Sequence, residues 1–178
     1  LLADRFTLSA FANFVDVLRL AADEADHSRP ILCDWVVLSD SLEAVRSSCG
    51  VRVQPEKRLR HAGRYDYIVV VGGLIGDSAA LGAEAQAFLQ RQATAGVPLV
   101  GLCTGVFILQ RLGLLKGYRC CVSWFHHQDF LDQFEAETPI SDQIFVVDRD
   151  RLTCSGGHGA AHLAAFLVQR HVGQNAAI

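Results

Sequence analysis

The sequence predicts a single α/β domain with a mostly parallel central sheet. Three observations lead there. The apolar pattern switches repeatedly between helical spacing and short β-branched runs. Two of those runs, over 65–71 and 98–102, are continuous rather than alternating, as strands covered on both faces are. The chain has 178 residues, 51% of them hydrophobic and only 20% charged, one domain's worth with enough apolar material for a real core.

The elements follow in order. Leu8, Phe11, Val15, Leu18 and Ala22 share one helical face, so a helix is expected over Leu8–Ala22. Ile31–Leu38, with Trp35, Val36 and Val37, reads as a strand, and Val51–Val53 as a short one. Glu56–Arg64 is polar and basic and reads as an exposed connection. Tyr65–Val71 is a buried strand ending in Gly72 and Gly73. Ser78–Ala95 presents Leu81, Ala85, Phe88 and Leu89 on one face; Gly96 and Pro98 stop that helix. Pro98–Leu102 is a second buried strand, and Thr104–Leu115 is apolar nearly all round, hence a buried helix. Arg119–Ser123 reads as a short strand and Phe125–Phe134 as a short helix. Ile144–Val147 and Arg151–Cys154 flank Asp148-Arg149-Asp150, a turn that suggests a strand pair. Gly156-Gly157 opens a last helix running to His171, with Gly173 as its cap.

Composition excludes several classes. Sixteen Lys and Arg against 19 Asp and Glu give a net charge of −3. Such a chain has no surplus of cations to neutralise phosphates, so DNA binding is not expected of it alone. The longest charge-free run, 92–110, holds Gly96, Pro98, Gly101 and Gly105 and is no membrane span. No basic, apolar leader opens the chain, and the six cysteines contain no Cys-x-x-Cys pair, which fits reduced thiols in the cytoplasm. Methionine is absent even at position 1, so a piece of a longer protein is expected.

The feature that carries chemistry is Gly101-Leu102-Cys103-Thr104-Gly105, between an apolar strand and an apolar helix. This is the spacing of a nucleophile elbow, with Cys where Ser is common. A sharp strand-to-helix turn lifts the thiol above the sheet edge, and the helix end beyond it favours thiolate. Gly72-Gly73 ends the neighbouring strand at the same edge, and a backbone N–H there is a second candidate oxyanion donor. The alternative is a buried structural thiol in a glycine-rich turn.

The phrases Leu2-Ala-Asp-Arg-Phe-Thr-Leu, Asp16-Val-Leu-Arg, Tyr65-Asp-Tyr-Ile-Val-Val-Val-Gly-Gly, the elbow, Gly113-Leu-Leu-Lys-Gly, Val122-Ser-Trp and Thr153-Cys-Ser-Gly-Gly, in this order, resemble the class I glutamine amidotransferase-like domain of the PfpI superfamily. More narrowly, they resemble the amino-terminal domain of AraC-family transcriptional regulators of the GlxA type. The resemblance covers nearly the whole chain. It implies a three-layer flavodoxin-like sandwich with the cysteine at its elbow. It also implies a homodimer that senses a small-molecule effector and needs no cofactor, with DNA bound only through a carboxy-terminal helix-turn-helix domain beyond this chain.

Enzymes of the superfamily pair the elbow Cys with a carboxylate early in the first helix and a His after the short strand. The matching positions hold Ala10 and Ser123, neither of which can serve as a general acid or base near neutrality. The resemblance therefore implies a pocket used for sensing, lined by Gly72, Gly73, Cys103, Thr104, Ser123, Trp124 and His126, with Trp124 packed near the elbow. The alternatives are a cysteine-dependent hydrolase or hydratase in which His126 or His127 replaces the base, and a redox sensor at Cys103. His158 and His162 lie four apart on the last helix but lack a third ligand, so no metal is expected. Asp16 reads as a surface carboxylate.

Overall fold

The computed structural model describes residues 1–76 and 80–177. Its frame is a four-stranded sheet of β5 (Ile68–Val71), β6 (Leu99–Leu102), β8 (Arg151–Cys154) and β7 (Phe145–Asp148), in the spatial order β5-β6-β8-β7. β5, β6 and β8 run parallel; β7 closes the edge antiparallel to β8, with Val147 opposite Leu152. Leu1–Ala3 runs along the outer side of β5, where Val71 N–H donates to Leu1 O and Ala3 N–H to Val71 O. Two small pairs lie apart from this sheet: β1 (Leu38–Ser39) beside β4 (Lys57–Arg58), and β2 (Val45–Arg46) beside β3 (Arg52–Val53).

Helices cover both faces, which makes three layers. α1 (Leu8–Ala22) and α5 (Gly157–His171) pack on one face; α2 (Ala83–Thr94) and α3 (Gly105–Arg111) pack on the other. The strand pleat sorts side chains between the two cores. Val71, Val100, Leu102, Leu152 and Cys154 go to the α1/α5 side, with Phe6, Phe14 and Leu163. Ile68, Val70 and Leu99 go to the α2/α3 side, with Phe88, Phe107 and Phe130. This is the three-layer, mostly parallel sandwich expected from the sequence.

α1 has the predicted bounds, but the face it buries is rotated from the predicted one: Ala10, Phe14, Ala21 and Ala22 are buried, whereas Leu8, Phe11, Val15 and Leu18 are half-buried, the last three along a cavity. Other elements are shorter, each for a local reason. Ile31–Leu38 is not a strand; only Leu38–Ser39 pairs. Leu32 N–H goes back to Ala22 O, Trp35 N–H goes to the neighbouring Asp34 carboxylate at 2.7 Å, and Ile31 and Leu32 are exposed. Buried Asp23 holds the preceding turn by accepting from the backbone of Ala25, His27 and Arg29 and from the Arg29 guanidinium at 2.8 Å. That turn aims the segment away from a ladder.

The connection over 56–64 is not simply exposed, because β4 pairs with β1 and Leu59, on a 3₁₀ turn, is buried. The expected start of α2 at Ser78 lies outside the described residues; within them the helix begins at Ala83. α3 stops at Arg111 rather than Leu115. Gly113 takes φ +72°, a left-handed conformation that ends the helix, as glycine does without steric penalty. Arg119–Ser123 makes a single bridge, Cys121 to Ile140, and is otherwise tied to β8 by Cys121 N–H donating to Thr153 Oγ1 at 2.7 Å. The helix expected over Phe125–Phe134 divides into a 3₁₀ turn, Trp124–His126, and α4 (His127–Gln133).

Candidate functional site

β6 is buried along its whole length and delivers Cys103 to the carboxyl edge of the sheet. There Cys103 takes φ +55°, the left-handed region in which an L residue with a Cβ is strained by about 1–3 kcal/mol. Neighbours hold that turn. Gly72 N–H donates to Leu102 O at 3.1 Å, and Thr104 Oγ1 donates to Gly73 O at 2.6 Å. Gly72 fits only because it has no side chain: a Cβ there would fall on the backbone of Thr104 and Gly105. The sequence signal for the elbow was therefore the right one, and the two strand-end glycines belong to the same construction.

Among the described residues, Cys103 Sγ has one side-chain hydrogen-bond partner, Thr7, whose hydroxyl donates at 3.5 Å. Thr7 is the residue before α1, and its side chain makes no capping bond. Its hydroxyl proton goes to the sulfur, and its oxygen accepts no N–H from the helix end. Sequence reasoning does not select Thr7, because a threonine in front of an amphipathic helix reads as an ordinary cap. Nor does it select Cys154, which stands opposite Leu102 beside the elbow and whose thiol donates to Gly156 O at 3.7 Å. Burial pushes the Cys154 thiol up to about 11, and Cys120 and Cys121 up to about 12, so all three are protonated at neutral pH.

The positions where a carboxylate and an imidazole would stand are filled otherwise. Ala10 is fully buried in the α1/α5 core. Ser123 Oγ accepts from His126 N–H at 3.3 Å and caps the 3₁₀ turn. His126 is engaged away from the thiol. Its Nδ1 pairs with Asp129 at 3.0 Å, and its ring stands edge-on to Phe107 and Phe125. His127 Nδ1 pairs with Ser141 Oγ at 2.7 Å. Trp124 does not pack at the elbow. It is 81% exposed, its ring tilted against that of His127, because the 3₁₀ turn started by Ser123 directs both Trp124 and Phe125 outward.

Asp16 is a surface group paired with Arg19 at 3.8 Å. His158 and His162 are exposed on α5, and among the described residues no cluster of three metal-ligating side chains forms. No helix among the described residues is long and apolar enough to cross a membrane. A cavity of about 550 Å³ opens elsewhere, walled by Phe14, Leu18, Trp35, Tyr67 and Leu167. It lies along α1 and α5, and Cys103 is not part of its wall.

The strained elbow sets an order of stabilities at one position. Cys103→Gly is expected to melt no lower than Cys103→Ala despite losing a methyl group, since glycine accepts φ +55° freely. Cys103→Val, whose branched Cβ crowds the left-handed backbone, should fall below both by about 1–2 kcal/mol. Thermal melts of the three variants test this; a valine variant as stable as the glycine variant would mean that the elbow is relaxed.

The DJ-1/PfpI family pattern matches residues 3–170. The HTH-type transcriptional regulator GbdR of Pseudomonas aeruginosa is 34% identical over 174 residues, covering 98% of this chain and 46% of that protein. The HTH-type transcriptional regulator CdhR of the same species is 29% identical over 181 residues, covering 100% of this chain and 51% of the regulator. The chain thus spans about half the length of these curated relatives. A crystal structure of an AraC family transcriptional regulator from Pseudomonas putida superposes with a TM-score of 0.80 at 28% identity, covering 99% of this chain and 92% of that one. With the sandwich, the elbow cysteine and this match in agreement, the chain belongs to the DJ-1/PfpI family.

Proposed function

We propose that this chain is the effector-sensing part of an AraC-type transcriptional regulator, without catalytic activity of its own. One observation carries the reading: the elbow is kept, strained and fully supported, while its two expected chemical partners are a buried alanine, Ala10, and a turn-capping serine, Ser123. A thiol with no base beside it forgoes the roughly 10²–10⁴-fold that general acid–base catalysis contributes. Hydroxyls remain around it, from Thr7 and Thr104, with the Gly72-Gly73 backbone alongside. They suit recognition of a small polar molecule at the carboxyl edge of a parallel sheet, where open α/β sheets hold ligands. The similarity to regulators named HTH-type and AraC supports the same reading.

In this reading, Gly73, Cys103, Thr104, Ser123 and Thr7 line the effector site, with Trp124 and His126 on the adjoining turn. The protein works in the cytoplasm as a homodimer. DNA is bound by a separate helix-turn-helix part, and the effector acts by its unequal affinity for two arrangements of the dimer. The test is turnover of amide, isonitrile and glyoxal substrates by the purified chain. No turnover above buffer is expected. Turnover that disappears in Cys103→Ala would replace this reading with a cysteine-dependent hydrolase or hydratase, and further loss in His126→Ala would identify its base.

A further inference from the structure

Effector recognition at the elbow leaves Cys154 without a role, its thiol making only a long bond to Gly156 O at 3.7 Å, yet it stands on the strand beside the elbow. The register sets Leu102 opposite Cys154 on neighbouring parallel strands, and Cys103 is one residue further on. Leu102 and Cys154 face each other across a strand spacing of about 4.8 Å, and Cys103 follows Leu102 directly at the turn. A disulfide asks for Cα atoms about 4.4–6.8 Å apart, a separation of that same order.

The side chains also share a face. Cys154 belongs to the α1/α5 core and Cys103 packs against that core, the left-handed turn at Cys103 bringing its side chain to this side. Cys103 is half-buried and reachable, whereas Cys154 is fully buried. The other thiols are engaged elsewhere: Cys121 Sγ donates to Gln143 O at 3.1 Å, Cys33 Sγ to Leu18 O at 3.3 Å, and Cys49 pairs with Ser47. Cys120 belongs to the α2/α3 core across the sheet.

We propose that Cys103 and Cys154 form an intramolecular disulfide when a hydroperoxide oxidises Cys103. In the first step Cys103 Sγ, as thiolate, attacks the outer peroxide oxygen and an S–O bond forms. The O–O bond breaks, and the other oxygen leaves as water or alcohol with the proton that the thiol gave up. Sulfur loses two electrons and the peroxide gains them. In the second step Cys154 Sγ attacks Cys103 Sγ. The S–S bond forms, the S–O bond breaks, and the departing hydroxide takes the Cys154 proton and leaves as water. Closure removes the sulfenic acid before a second peroxide converts it to the sulfinic acid, so Cys154 keeps oxidation at the elbow reversible. The step goes beyond effector sensing and requires no effector.

Trypsin separates the two cysteines cleanly. Gln92–Arg111 contains Cys103 alone, and Leu152–Arg170 contains Cys154 alone. The reduced chain is treated with hydrogen peroxide, its remaining thiols are alkylated, and its peptides are mapped by mass. The expected result is that these two peptides appear linked, replace the greater part of the free Cys103 peptide, and separate on reduction. In Cys154→Ala the Cys103 peptide should instead gain two oxygens, and in Cys103→Ala the Cys154 peptide should stay reduced.

A wild-type Cys103 peptide carrying two oxygens beside an alkylated Cys154 overturns the proposal. So does a Cys154 linked to another cysteine, or a Cys154 oxidised in Cys103→Ala. If a variant fails to fold, the wild-type map decides alone.

Discussion

Gly72→Ala is expected to abolish the soluble fold or to lower its stability by about 3 kcal/mol or more. The added Cβ would overlap Gly105 N and the Thr104 carbonyl carbon, and press on Thr104 Oγ1. The first two are main-chain atoms of the elbow and cannot rotate away. Relief requires β5 and β6 to part where Gly72 N–H meets Leu102 O, or the elbow to lift from the sheet. Insertion into a packed core commonly costs about 1–3 kcal/mol when side chains can yield, and more when they cannot. Gly63→Ala supplies the control, since a Cβ at that exposed glycine meets nothing within 4 Å. It should change stability by less than about 0.5 kcal/mol. Equal melting of the two variants would mean that the elbow is not closely packed on β5.

Phe107→Ala should cost about 3–5 kcal/mol, the usual range for deleting a buried aromatic ring. Phe107 is 2% exposed and sits in the first turns of α3, just after the elbow. Its ring stands edge-on to Phe130 at 5.2 Å and to His126 at 6.2 Å, and tilted to Phe134 at 6.1 Å. It joins the elbow helix to the segment that carries Ser123 and α4. For a domain of this size each kcal/mol moves the thermal midpoint by about 2–4 °C, so a fall of roughly 6–20 °C is expected. Phe107→Leu, which keeps most of the volume, should lose less than half as much. A small change in the alanine variant would mean that α4 docks without this ring.

Much of the architecture was legible because burial leaves a periodic mark. The extent of α1 came from its helical spacing, the two inner strands from their continuous apolar runs, and the pair of β7 and β8 from the turn residues between them. The elbow was legible for a different reason: a glycine on each side of a cysteine, between two apolar segments, is the spacing of a sharp strand-to-helix turn, which the left-handed φ at Cys103 bears out over a buried thiol in an ordinary turn. The segment over 31–38 misled because its residue types favour a strand, whereas Leu32 and Trp35 give their N–H groups to Ala22 and Asp34 and only Leu38 at its end joins a ladder. Composition cannot report that.

Trp124 misled similarly. Its apolar ring suggested packing, yet Ser123 begins a 3₁₀ turn that directs it to solvent. Thr7 and Cys154 meet Cys103 from segments remote in sequence, the first by way of an uncapped helix end and the second by way of the strand register. No local pattern marks such meetings; only the closed sheet brings them together.

The proposed function places the effector at the elbow edge and not in the cavity along α1 and α5. Backbone amide shifts of the isotope-labelled chain, followed while small nitrogen-containing metabolites are titrated in, test this most directly. A binding metabolite is expected to perturb the amides of Gly73, Cys103 and Thr104 first and most strongly. Perturbation confined to Phe14, Leu18, Trp35 and Tyr67, with the elbow amides unmoved, would place recognition in the cavity and contradict the proposed site.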